Sequence, residues 1–264
     1  MWKFVMVFAV ATFSIQSWSQ NDCGALHDYN QDGVIGAPDL MNLLSLYGQP
    51  LEVAEWTCGD PVNDYGYDYS TVLIGGQCWF AENLRTEHYA NGDMIPGELS
   101  DSEWETAASG AQAVYGEGGS ACLYGNCDEV QNLADYGRLY NWHAVDDSRG
   151  LCPSGWHVPT DAEWTLLADF LGGASIAGAP MKSSPCDTPS WDGTNSSGFS
   201  GLPGGFRNVD GVFGLESLSG IFWSASPASE TFAWDRTLYY AGDVVNTNGY
   251  NQQRGHSVRC VRDE

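Results

Sequence analysis

The chain has 264 residues, 43% hydrophobic and 17% charged, so it is neither a disordered acidic tail nor a low-complexity spacer. Its 34 acidic against 10 basic side chains give a formal charge of −24, which repels nucleic acid and anionic membranes and argues against both as partners. Thirty-two glycines and eleven tryptophans describe a loop-rich globule packed on aromatic rings.

Residues 1–19 read as a secretory signal peptide. Lys3 supplies the positive start, Phe4 to Phe13 the apolar run, and Ser17-Trp18-Ser19 a small-x-small cleavage site. The run is too short to span a bilayer and no later segment comes close, so the sequence predicts a secreted protein of the cell exterior without a membrane span.

Residues 28–40, Asp-Tyr-Asn-Gln-Asp-Gly-Val-Ile-Gly-Ala-Pro-Asp-Leu, have the layout of a calcium loop. Side-chain oxygens fall at loop positions 1, 3, 5 and 12 (Asp28, Asn30, Asp32 and Asp39). Gly33 makes the sharp turn that aims the Val34 carbonyl at the ion. Ca2+ is therefore the expected cofactor. Leu40, Leu43, Leu44 and Tyr47 continue as a one-sided helix, stopped by Gly48 and Pro50. This loop resembles the EF-hand-like repeat of the dockerin family. Dockerins use two repeats to grip a cohesin; the missing second copy argues against cohesin docking. Residues 49–63 read as a linker.

The main domain opens with a hairpin, Tyr69 to Ile74 and Gln77 to Phe80 around Gly75-Gly76. Residues 91–132 read as long surface loops. A helix is expected over 160–172: Thr160 and Glu163 form a capping box, Trp164, Leu167, Ala168 and Leu171 the buried stripe, and Gly172-Gly173 the stop. Residues 222–225, 231–240 and 256–261 read as strands. The expected class is α+β, many short strands beside one or two helices.

Eight cysteines fit an oxidising compartment, and sequence leaves 105 complete pairings open. Position along the chain favours Cys23–Cys58 around the calcium segment, Cys122–Cys127 and Cys152–Cys260, leaving Cys78 and Cys186 by default.

Six motifs carry a resemblance over the main domain. They are Ile74-Gly-Gly-Gln-Cys-Trp-Phe-Ala-Glu-Asn-Leu-Arg85, Tyr136-Gly-Arg-Leu-Tyr-Asn-Trp142, Leu151-Cys-Pro-Ser-Gly-Trp-His-Val-Pro-Thr160, Asn195 to Arg207, Phe222-Trp-Ser-Ala-Ser226 and Ser257-Val-Arg-Cys-Val-Arg-Asp263. From about residue 63 onward the chain resembles the Fibrobacter succinogenes major paralogous domain. That family looks related to the C-type-lectin-like and formylglycine-generating-enzyme superfamily. The resemblance implies a secreted or surface domain of bacteria with a lectin-like fold. The expected plan is a signal peptide (1–19), a calcium module (20–58) and the lectin-like domain (59–264).

No catalytic constellation is legible. The five histidines lack ligand spacing, Cys260 reads as a disulfide partner, and the carboxylates are too many to single out an acid and a base. The calcium-dependent sugar tripeptides of C-type lectins are absent. Aromatic stacking on sugar remains open, with Trp104, Trp191, Tyr239, Tyr240 and Tyr250 as the loop-borne candidates. Arg85, Arg138, Arg207, Arg236 and Arg259 either ring an anionic ligand or pair internally with surplus carboxylates; the second is favoured. The expected function is non-catalytic binding or adhesion, to an extracellular polysaccharide or a surface protein. The alternatives are a calcium-stabilised structural component of the surface or matrix and an unrecognised carbohydrate-active or formylglycine-type enzyme.

Overall fold

The computed structural model describes residues 56–263, with Ala37 and Met41 besides. The calcium-loop residues Asp28, Asn30, Asp32, Val34 and Asp39, the signal segment and Cys23 lie outside the described residues. Residues 56–264 form a unit of their own, and among the described residues it holds thirteen strands and five α-helices. The α+β expectation stands at that level.

Strands β1 (Val62–Asp64) and β2 (Tyr67–Tyr69) form a ribbon closed by Tyr65 and Gly66, at φ +46° and +83°. Strands β3 (Thr71–Ile74) and β4 (Gln77–Phe80) are the predicted hairpin, with Gly75 and Gly76 supplying the positive φ that a two-residue turn requires. The hairpin joins β13 (Val261–Arg262) and β7 (Trp156–His157) in the order β3-β4-β13-β7, so the two ends of the domain share one sheet. The larger sheet runs β12-β11-β10-β8-β9: Val245–Asn251, Phe232–Tyr239, Ser219–Pro227, Gly204–Arg207 and Phe213–Glu216. A short pair, β5 (Gln112–Ala113) with β6 (Leu139–Tyr140), stands apart.

Period-2 alternation divides the core. On β4, Cys78 and Phe80 face one cluster, with Tyr69, Trp142, Trp156 and Trp223, while Trp79 faces a second with Trp164, Phe199 and Phe222. Strand β10 does the same with Trp223 and Phe222. After the short helix α3 (Trp142–Val145), helix α4 (Asp161–Phe170) starts at the Thr160/Glu163 capping box and buries Trp164, Leu167 and Ala168 in the second cluster, as its pattern predicts. Burying one such indole stabilises the fold by roughly 2–3 kcal/mol.

Several expectations are corrected. Cys58 pairs with Cys78, not Cys23. Trp56 packs edge-on against Trp156 at 5.6 Å and lies 4.2 Å under the Arg262 guanidinium, so the linker reading fails from Trp56 onward and the domain starts before residue 59. Cys122–Cys127 and Cys152–Cys260 form as expected, and Cys186 is exposed and bonded to no other cysteine among the described residues. The segment 91–132 is not all surface loop. Helix α1 (Asp101–Glu105) begins at a Ser100/Glu103 capping box, residues 111–117 are buried, and helix α2 (Glu129–Tyr136) follows an Asp128 cap. Residues 256–260 are extended but belong to no strand; only Val261–Arg262 pairs as one.

Candidate binding groove

The predicted ligand aromatics part company. Trp104 is 1% exposed, in a third cluster with Tyr115 and Phe213, and Trp191 is 7% exposed, so neither ring offers a face to a ligand. Their loop-like neighbourhoods misled because helix α1 and the Lys182 contact bury them; the Lys182 ammonium lies 5.3 Å from the Trp191 ring. Tyr239 and Tyr240 are exposed at the end of β11, and Tyr250 is partly buried on β12. The arginines are spent internally. Arg207 meets Glu117 at 3.0 Å, Arg236 meets Asp161 at 2.7 Å, and Arg259 is ringed by backbone carbonyls. No anion-binding arginine ring forms among the described residues.

A groove opens where sequence singled out little. Two depressions, about 300 and 430 Å3, share a wall made by Tyr67 and Arg85. A third, of about 200 Å3, shares Glu87, Leu133 and Arg138 with the first. The wall is fixed by chemistry. The Arg85 guanidinium lies 4.2 Å over the Tyr67 ring, Tyr67 Oη donates to Glu82, and Glu82 Oε1 accepts from the Ser70 amide at 2.8 Å. Burial, and then that bond to Glu82, push the Tyr67 phenol up to about 12, so it stays a donor throughout the physiological range. Arg138 spans the other side, from Gln112 at 2.7 Å and the Arg85 carbonyl at 3.1 Å to the Glu87 carboxylate.

At the mouth stands Tyr65, 56% exposed and stacked on His88 with ring centres 4.2 Å apart. Its backbone is left-handed, in a turn position that favours Asn, Asp or Gly. A bulky residue costs about 1 kcal/mol or more there. The strain holds an open aromatic face beside the 300 Å3 depression, which Tyr65, Tyr67, Tyr69 and His88 all line. Asp64 lies in the same wall, its carboxyl raised by burial against the lowering pull of the Thr86 hydroxyl and of His88.

The two larger depressions carry five carboxylates (Asp64, Glu82, Glu87, Asp135 and Asp187) against Arg85, Arg138 and His88. Glu82 pairs with Arg85 at 3.6 Å and Glu87 with Arg138, which leaves Asp64, Asp135 and Asp187 as the surplus. The arrangement offers ring faces, fixed donors and acceptors, and a net negative field. Such a lining suits a neutral polyhydroxylated ligand and opposes an anionic one. Among the described residues no cluster of three or more His, Cys, Asp or Glu side chains stands ready to hold a metal.

Residues 72–262 match the family described as the Fibrobacter succinogenes major domain. The chain belongs to that family. No curated protein matches it. In this Fibrobacter succinogenes major domain protein, Glu82 and Arg85 fall in the first recognised motif and Arg138 in the second, so the motifs supply part of the wall of the groove and Tyr67 the rest. Tyr65 and His88 lie outside them. The one local signal for Tyr65 is the Tyr-Gly step between two short β-prone runs.

The described part contains three disulfides, as an oxidising compartment allows, and no helix long and apolar enough to cross a membrane.

Proposed function

We propose that the protein is a secreted, non-catalytic binding protein that holds a neutral extracellular polysaccharide in the Tyr65–Arg138 groove. A dockerin-like EF-hand repeat folds its N-terminal segment around Ca2+. The observation that carries the groove reading is Tyr65 itself. A strained, exposed ring seated on a histidine at the mouth of a ligand-sized depression is costly for folding and useful for stacking on a sugar face. The lectin-like kinship is supported by the motif series and the mixed, disulfide-linked fold.

The same strain provides the test. Tyr65→Asn, a residue the turn prefers, is expected to leave the melting temperature unchanged or higher and to weaken retardation on hydroxyethylcellulose or galactomannan gels about tenfold. Polygalacturonate should not retard the wild type. Retention of full binding by Tyr65→Asn would remove the groove from consideration.

The calcium reading rests on loop spacing and has its own measurement. In the full chain, Ca2+ should raise the temperature at which the N-terminal segment melts, and Asp28→Ala with Asp32→Ala should abolish that rise. A calcium response equal in variant and wild type would sink it.

A further inference from the structure

Asp235 on β11 and His256 beyond β12 are both fully buried, at 0% exposure. Asp235 Oδ2 stands 3.6 Å from His256 Nδ1. Asp235 Oδ1 accepts from Asn248 Nδ2 and Thr237 Oγ1, each at 3.3 Å, whereas Oδ2 and both imidazole nitrogens have no hydrogen-bond partner. The ring is held in place. It stacks on Trp223 at 4.0 Å, meets Tyr250 edge-on at 5.6 Å, and its main chain pairs with Tyr140 in both directions, at 2.8 and 3.0 Å. Of the three unpartnered atoms, Asp235 Oδ2 and His256 Nδ1 face each other across the 3.6 Å gap, and a proton carried by one of them lets each serve as the other's partner where no other described group does.

The ionisable groups around the pair are Arg236 and Tyr239 on β11, Tyr250 on β12, Arg254 after it, and Tyr140 on β6. Arg236 is occupied by Asp161 of helix α4 at 2.7 Å and by the carbonyl of Asp235 at 3.1 Å. Arg254 lies over the Tyr250 and Phe206 rings at 4.5 and 5.0 Å.

We propose that folding moves one proton from His256 to Asp235, so that the native pair is a neutral carboxylic acid whose Oδ2–H faces a neutral imidazole Nδ1. In the unfolded chain near pH 5 the imidazole is protonated and the carboxyl ionised. On folding the proton leaves the ring and sits on Oδ2, two opposite charges vanish, and the number of bound protons stays at one. Burial drives both changes: it raises the Asp235 carboxyl to about 7, and, with Arg254 adding to it, lowers the His256 imidazole well below its ordinary range.

The consequence is a cancellation. Asp235, raised in the fold, contributes stability below about pH 4 that is lost as pH climbs towards 7. His256, depressed in the fold, contributes stability above about pH 6.5 that is lost as pH falls. Between about pH 4 and 6.5 the two slopes oppose each other, each up to tenfold in the unfolding constant per pH unit, and the pair leaves the sheet indifferent to pH.

Single substitutions in the full chain should unmask the two halves with opposite signs. Relative to wild type, Asp235→Asn is expected to lose stability on acidification from pH 6.5 to 4, His256→Phe to gain it, and the double variant to run parallel to wild type. Slopes of the same sign in both single variants, or no slope in either, would overturn the proposal. Should His256→Phe fail to fold, nitrogen-15 spectra of the wild-type ring at pH 5 decide the matter. A neutral imidazole is expected there, and an imidazolium would overturn the assignment.

Discussion

Replacing Arg259 by Leu is expected to destabilise the domain by about 3–5 kcal/mol. The guanidinium is fully buried and touches no carboxylate. It donates instead to Asn83 Oδ1 at 2.8 Å and to the carbonyls of Phe80, Phe199 and Ser200 at 3.0, 2.6 and 2.8 Å. Its plane lies 4.5 Å from the Phe199 ring. Burial without a counter-ion pulls its proton affinity down to about 9, and the cation is stabilised by the carbonyl dipoles around it. Removing it strands four acceptors in the core, each costing about 1–3 kcal/mol before relaxation. Arg259→Lys should recover only part of the loss, because an ammonium has three donors and lacks the planar fork. Urea unfolding measures both. A loss under about 1 kcal/mol for Arg259→Leu would show that the acceptors find other partners.

Removing the Cys152–Cys260 disulfide, by Cys152→Ala with Cys260→Ala, is expected to cost about 4–5 kcal/mol. The bond spans 108 residues, and closing so long a loop removes much of the unfolded chain's freedom. Its sulfurs also sit in the first aromatic cluster, so the loss of buried contacts adds to the entropic term. The Cys122–Cys127 bond spans only 5 residues and should contribute about 2 kcal/mol. Denaturation of the two double variants separates these cases. Equal losses would show that unfolded-state loop length does not govern these bonds.

What could be read from the sequence was local. The Gly75-Gly76 hairpin, the Thr160/Glu163 helix and the short Cys122–Cys127 loop each announce themselves within a dozen residues, and the structure has them where expected. The pairing of Arg85, Arg138, Arg207 and Arg236 with carboxylates follows from the surplus of acids over bases, whereas Arg259 departs from it and is held by an amide oxygen and three backbone carbonyls. Cys58 was misassigned because pairing depends on which segments meet. Trp56, in a stretch with linker composition, docks on Trp156, and Cys58 then reaches Cys78. Ser100 and Glu103 have the capping-box spacing, and the helix they start buries Trp104 and removes that ring from the surface. The groove was illegible for a different reason. Its wall joins Tyr67, Glu82, Arg85 and Arg138 from the β1–β2 ribbon, the end of the hairpin and the approach to β6, and no periodicity records such a meeting.

Strand β4 is the common partition between two cores, with Cys78 and Phe80 on one side and Trp79 on the other. A slip of one residue would drive the indole into the space of the sulfur and the phenyl ring, and expel both into the tryptophan's place. The Cys58–Cys78 bond anchors the first of these three side chains covalently to the segment ahead of β1. It therefore acts as a register peg: with it closed, only one alignment of the strand lets either core fill.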